Sequence, residues 1–329
     1  MSMMASSTSA ITPTTSLTFA RICQRVLILG RAAARSTRTA RAAPSVTFRP
    51  RHFHRSSAML IPMETWYDMH CHLGFAPDPA ATARAGAHAS IGAFSCTVSP
   101  EEYERIAPLM ADGATVAVGL GAHPWQIADG SVDSSALARF CELAAATAFI
   151  GEVGLDFAGP RDGNESRTVQ TAALQRILAA CDDGAPKLIS LHAVNAAGTV
   201  LDLLEAAGTA RRHCCIFHWF SGTSDDLTRA LADGCYFSVG PRMLVSRRGR
   251  EYARQIPLDR LLLETDMPSR VGEALPANVW RAELGNALSG IAQLKAIDRT
   301  LLAERLATTS AALLGTEQAP LPRARNFRL

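Results

Sequence analysis

The chain has 329 residues, 48% hydrophobic and 19% charged, with a formal net charge of +3. That apolar content excludes a wholly disordered polymer, and no apolar run reaches the roughly 20 residues of a membrane-spanning helix. Eight cysteines without a CxxC pattern point away from a disulfide framework or thiolate zinc knuckle, so the expectation is a soluble, cytoplasmic, globular protein with no obligate protein partner.

The charge is unevenly distributed. Residues 1–63 hold nine arginines, no lysine and no acidic residue, whereas residues 64–329 hold 24 basic and 30 acidic side chains, a net of −6. Three readings of this Arg-, Ser- and Ala-rich extension are open. It is translated leader upstream of a start at Met59 or Met63, a mitochondrial transit peptide, or a basic arm for nucleic-acid phosphates. The first two leave the extension disordered, and the second moves the location to the mitochondrion. The folded domain is expected over 64–316, followed by a short tail at 317–329.

From Tyr67 onward a short apolar run, a turn and an amphipathic stretch recur eight times. The runs predict strands at 67–70, 91–98, 115–122, 149–153, 187–192, 214–218, 236–239 and 261–264. Between them, Ser99-Pro100-Glu101-Glu102 is a capping box with proline at the first helical position. Residues 165–183 carry Leu174, Ile177, Leu178 and Cys181 at helical spacing. Residues 223–232 open with Thr223 and Ser224 ahead of Asp225 and Asp226, as a helix N-terminus prefers. Short apolar strands separated by helices mean a covered parallel sheet, and eight such units predict an α/β fold, a closed (β/α)8 TIM-type barrel. No GxGxxG follows the first strand, which argues against dinucleotide binding.

The ionisable residues cluster where these strands end. Alternate strand residues share a face, so His70 and His72 point into the barrel mouth together while Cys71 points away. Glu152 is expected at the end of the fourth strand, His192 of the fifth, His218 of the sixth and Asp266 of the eighth, with His123 after the third. Each alone reads equally as a satisfied turn or core residue. Together they would bury several costly polar groups in one cavity, which a cation or hydrogen bonds must compensate, and the conjunction favours a metal.

These residues resemble the TatD family of metal-dependent hydrolases, within the amidohydrolase-like barrels, over about residues 66–315. The resemblance rests on His70-Cys71-His72-Leu73, Gly121-Ala122-His123-Pro124 and Ile150-Gly151-Glu152-Val153-Gly154-Leu155-Asp156. It continues in His218-Trp219-Phe220-Ser221-Gly222 and Glu264-Thr265-Asp266-Met267-Pro268. It implies two divalent cations (Zn, Mn, Mg, Fe or Co), the first held by His70, His72 and Asp266, the second by His192 and His218, with Glu152 bridging. It implies His123 as a contact to substrate or ligand. Related barrels bridge with a carboxylated lysine. The two lysines here, Lys187 and Lys295, lie at the wrong end of a strand and in a late helix, leaving a carboxylate as the bridge.

The sequence departs from the family after His192, where Ala193-Val194-Asn195 lacks the usual arginine, and after Asp266, where Met267-Pro268-Ser269-Arg270 lacks the usual tyrosine. Arg242 and Arg270 are candidate replacement phosphate contacts, or else ordinary solvated or paired arginines. The implied activity is phosphodiester hydrolysis of DNA, in the manner of a 3′–5′ exonuclease on single-stranded or terminal DNA. In it the cations activate a water and Asp266 orients that water or takes its proton. The alternatives are an esterase or amidohydrolase acting on a small molecule or an aminoacyl nucleic acid, and an inactive barrel that only binds.

Overall fold

Eight parallel strands occupy the predicted positions: β1 (Trp66–Cys71), β2 (Ile91–Cys96), β3 (Val116–Ala122), β4 (Phe149–Asp156), β5 (Leu188–Val194), β6 (Cys214–His218), β7 (Tyr236–Val239) and β8 (Leu261–Leu263). They pair in sequence order from β1 to β8. The computed structural model describes residues 64–110, 115–182 and 185–315. The expectations for 1–63, for 317–329 and for residue 316 lie outside the described residues. Among the described residues no helix is long and apolar enough to cross a membrane.

The ring closes where the segment after β8 meets β1. Asp266 N–H donates to the His70 carbonyl at 2.9 Å, and His72 N–H donates to the Met267 carbonyl at 2.8 Å. Just below, the buried Asp68 carboxylate accepts from Thr265 N–H at 3.0 Å, Thr265 Oγ1 at 2.5 Å and Trp280 Nε1 at 2.7 Å. It thereby fastens β1 to the end of β8 and to the helix Ala277–Lys295.

Two strands carry an extra residue. In β1, Asp68 lies opposite Ala93 but Cys71 lies opposite Ser95, so three steps on one strand match two on the other. In β4, Ile150 pairs with Ile189 and Val153 with Leu191, again three steps against two. Each is a β-bulge, which re-aims a side chain. In β1, Asp68 reaches outward to Trp280 while Met69 joins an apolar cluster with Phe94, Cys96, Leu188, Ile216 and Leu262. These residues come from alternate strand positions and fill the barrel interior. The opposite faces, including Ala93, Leu120, Ile150, Leu191 and Phe217, pack with Phe140, Leu174, Ile177 and Leu284 of the helical shell.

The helix signals take the forms their chemistry allows. Residues Asn164–Cys181 form one helix, with Leu174, Ile177, Leu178 and Cys181 buried. Thr223 and Asp226 complete a reciprocal capping box. At Pro100–Ile106 only half of the expected box forms. Ser99 accepts from Glu102 N–H at 3.1 Å, while the Glu102 carboxylate takes the Val98 N–H at 2.8 Å.

Candidate metal centre

Above the interior apolar cluster, the inward-facing residues are ionisable. Glu152 sits at the middle of the group. The sequence places it at the end of the fourth strand; β4 instead runs on to Asp156, and the bulge at 151–152 turns the mid-strand carboxylate inward. Its Oε1 lies 2.6 Å from His192 Nδ1, 2.8 Å from His218 Nε2 and 3.5 Å from His123 Nε2. Its Oε2 lies 3.3 Å from His70 Nε2 and 3.4 Å from His72 Nε2. Asp266 Oδ1 closes the far side, 3.3 Å from His72 Nε2 and 3.8 Å from His70 Nε2. Residues from six strands and strand ends, nearly 200 positions apart in the sequence, thus come together.

The outer ring nitrogens are held in turn. Ser190 Oγ lies 2.8 Å from His70 Nδ1, and the Cys96 carbonyl accepts from His72 Nδ1 at 3.2 Å, which keeps His72 Nε2 facing inward. His192 is reversed: its Nδ1 faces Glu152, and its Nε2 lies 3.1 Å from Asp156 Oδ2. His123 differs again, because its Nδ1 accepts the Trp125 N–H at 3.1 Å. A neutral His123 therefore carries its proton on Nε2 and presents a donor inward, where a metal ligand would present a lone pair.

Electrostatics follow from this crowding. Burial raises the Glu152 carboxyl, but the imidazoles of His123, His218, His70 and His192 outweigh it and hold the group well below the usual range. Burial also raises Asp266, yet its bond to His72 and the surrounding imidazoles bring it to about 2. Burial lowers His70 to about 4, helped by the neighbouring His218. Burial works against a proton on His192 too, but Glu152 and Asp156 lift that ring to about 9. His72 is likewise lifted against burial by Asp266 and Glu152.

The group fits divalent metal. His70 Nε2 and His72 Nε2 are 3.3 Å apart, as are His192 Nδ1 and His218 Nε2, each pair aimed at the same carboxylate. With both facing nitrogens deprotonated, each pair would set lone pairs against each other; a cation turns the opposition into attraction. His218 Nδ1 is buried without a hydrogen-bond partner, 3.7 Å from the buried Glu264 carboxyl. Imidazole and carboxylate without thiolate suit Zn, Mn, Fe, Co or Mg. Among the described residues three compact groups of ligand-type side chains occur: His70, His72 and Glu152; His70, His218 and Asp266; and His123, Glu152 and His192, the last requiring His123 to give up its inward proton.

The centre opens into a cavity of about 620 Å³, whose walls include Phe75, Val98, Trp125, Arg161, Trp219 and Arg242. Of the two arginines singled out from the sequence, Arg242 lines this cavity and donates to Asp266 Oδ2 at 3.2 Å. Arg270 is exposed and is not part of the lining. Sequence reasoning missed Asp156, which accepts from Trp125 Nε1 at 2.5 Å and lies 3.3 Å from Arg161 Nε. Its position four residues after Glu152, on the same face of one strand, was the available signal. It also missed Glu264, which accepts from Ser238 Oγ at 2.5 Å and which burial pushes well above the usual carboxylate range.

A closed parallel barrel with a His/carboxylate cluster at its C-terminal mouth defines the class of (β/α)8 barrels, with a candidate metal site on the face where such barrels build their active sites. Within that class the chain belongs to the family described as TatD related DNase, whose sequence model matches residues 67–315. It is 29% identical over 151 residues to the "3'-5' ssDNA/RNA exonuclease TatD" of Erwinia tasmaniensis, covering 45% of this chain and 56% of that protein. It is 28% identical over 152 residues to "Deoxyribonuclease TATDN3" of Homo sapiens, covering 45% and 53%. The chain thus spans about half the length of these curated relatives. YJJV, a TatD homologue from Escherichia coli K12, superposes with a TM-score of 0.61 at 20% identity, over 75% of this chain and 97% of that one. A TatD family hydrolase from Entamoeba histolytica gives 0.62 at 14% identity, over 76% and 98%. These two structures share the fold.

Proposed function

We propose that this protein is a divalent-metal-dependent phosphodiesterase that shortens single-stranded DNA from its 3′ end. The observation that carries the reading is the Glu152 carboxylate, ringed by histidine nitrogens at 2.6 to 3.5 Å at the floor of an open cavity. His70, His72 and Asp266 would hold one cation and His192 and His218 a second, with Glu152 between them. Bound divalent metal supplies Lewis acidity, activating water near neutral pH and drawing charge from a phosphoryl oxygen.

The chain's own residues do the rest. Asp266, held ionised and only partly buried, takes up the proton that an attacking water gives up. Arg242, bonded to Asp266 Oδ2, orients that carboxylate and adds a positive charge to the cavity wall. His123, with its donor inward, meets an oxygen of the substrate. The nuclease names of the relatives support nucleic acid as the substrate.

The test is a 5′-labelled single-stranded oligonucleotide incubated with protein reconstituted separately with each metal. Progressive shortening from the 3′ end is expected. Glu152→Ala and Asp266→Ala should abolish it while the barrel still unfolds cooperatively, and a fully active Asp266→Ala protein would overturn the assignment. Cleavage of an ester and amide panel in place of DNA would transfer the site to the alternative hydrolase chemistry.

A further inference from the structure

Among the described residues, the exposed large apolar side chains include two aromatic ones, Trp125 at 49% and Trp219 at 37%, and both line the cavity. Each follows a centre histidine: Trp125 stands two residues after His123, and Trp219 directly after His218. Trp219 adopts a left-handed backbone with φ of 39°, a conformation disfavoured for a bulky residue and one that tends to persist at functional sites. Trp125 is fixed differently. Its Nε1–H is taken by Asp156 Oδ2 at 2.5 Å, and the Arg161 guanidinium lies over its ring at 4.6 Å.

An indole whose N–H is already engaged offers a ligand only its π-surface. The exposed rings of Trp125 and Trp219 beside the candidate metal centre, with Arg161 and Arg242 on the same walls, suit a ligand that alternates flat rings with anionic links. Single-stranded nucleic acid has that chemistry. Paired bases have their faces covered by neighbours, so the two rings select an unpaired end.

We propose that Trp125 and Trp219 are stacking platforms for the unpaired nucleobases of the strand being cleaved. This rests on the reading of the protein as a nucleic-acid phosphodiesterase, and it assigns specificity to two side chains outside the ligand set.

The test compares a phosphorothioate-linked decathymidylate with a decamer of the same charge made of abasic units, by fluorescence anisotropy with metal-loaded protein. The base-bearing strand should bind about tenfold or more tightly. Trp125→Ala and Trp219→Ala should each weaken decathymidylate about tenfold and leave the abasic strand unchanged, while Trp125→Phe and Trp219→Phe keep most of the discrimination. Equal binding of the two strands by the unaltered protein overturns the proposal, as does equal weakening of both strands by the alanine variants. If neither strand binds while metal-dependent cleavage of a small phosphodiester persists, the platforms fall and the hydrolase reading stands. Absence of that cleavage as well removes both.

Discussion

His192 meets Glu152 through Nδ1 at 2.6 Å and Asp156 through Nε2 at 3.1 Å, so one imidazole joins the central carboxylate to a second one farther along the same strand. His70 and His72 face the centre with the opposite ring nitrogen, Nε2. The reversal makes Asp156 the residue that sets the orientation of His192.

Asp156→Asn should therefore weaken metal binding by about 10- to 100-fold without unfolding the protein, because a carboxylate behind a ligand imidazole fixes its ring and raises its basicity. Calorimetric titration of the metal-free variant measures this. Unchanged affinity would show that packing alone orients His192.

Metal binding should strengthen as pH rises. In the metal-free protein His192 sits near 9 and His72 is also raised, so both carry protons at neutral pH that a cation must displace. A raised folded value stabilises the metal-free fold fully below the unfolded value near 6.5, and that contribution is lost as pH climbs through about 9. Affinity should gain about one order of magnitude per pH unit for each proton displaced. Titrations in buffers of different ionisation enthalpy count those protons.

Glu152→Gln should remove the support for the His192 proton, since the carboxylate is the largest influence opposing burial there. The His192 titration, followed by NMR in the metal-free protein, should fall from about 9 toward or below 6.5. Persistence near 9 would mean that Asp156 alone holds the proton.

Asp68 gives a separate pH signature. Burial pushes its carboxyl from 3.8 up to about 6 against the bonds from Thr265 and Trp280, so the folded state binds a proton more tightly than the unfolded one. Its contribution is complete below 3.8 and is lost as pH rises through about 6. Asp68→Asn should abolish that slope in denaturant unfolding. Asp68→Ala, which strands the buried Trp280 Nε1–H and Thr265 N–H, should cost roughly 3 kcal/mol.

Gly154→Ala should damage the centre from a position that bears no functional group. A Cβ at residue 154 would stand 2.0 Å from the His192 carbonyl oxygen, and φ there is +148°. The expected result is a lower melting temperature together with weaker metal binding; a variant with unchanged metal affinity would show that β5 yields without moving His192.

The barrel and most of its centre were legible because two simple periodicities sufficed. Strand parity put His70 with His72, and the ends of β5 and β6 delivered His192 and His218. The bulges at β1 and β4 were not legible, because an extra residue between two apolar stretches leaves the hydrophobic pattern intact. They decide that Asp68 faces the helical shell while His70 faces the cavity, and that Glu152 does its work in mid-strand. Arg270 takes the solvated alternative for a related reason. Gly272 N–H bonds the Phe75 carbonyl at 2.7 Å, and the Ser269 hydroxyl and N–H bond Glu273, so the segment beyond Asp266 is pinned by contacts no local motif announces. Asp156 escaped because its partners, Trp125 and Arg161, come from two separate short helices.

The hydrogen bonds joining His70 to Asp266 and His72 to Met267 bring the earliest and latest contributors side by side. A donor group that uses Asp266 is therefore complete only after β8 has left the ribosome.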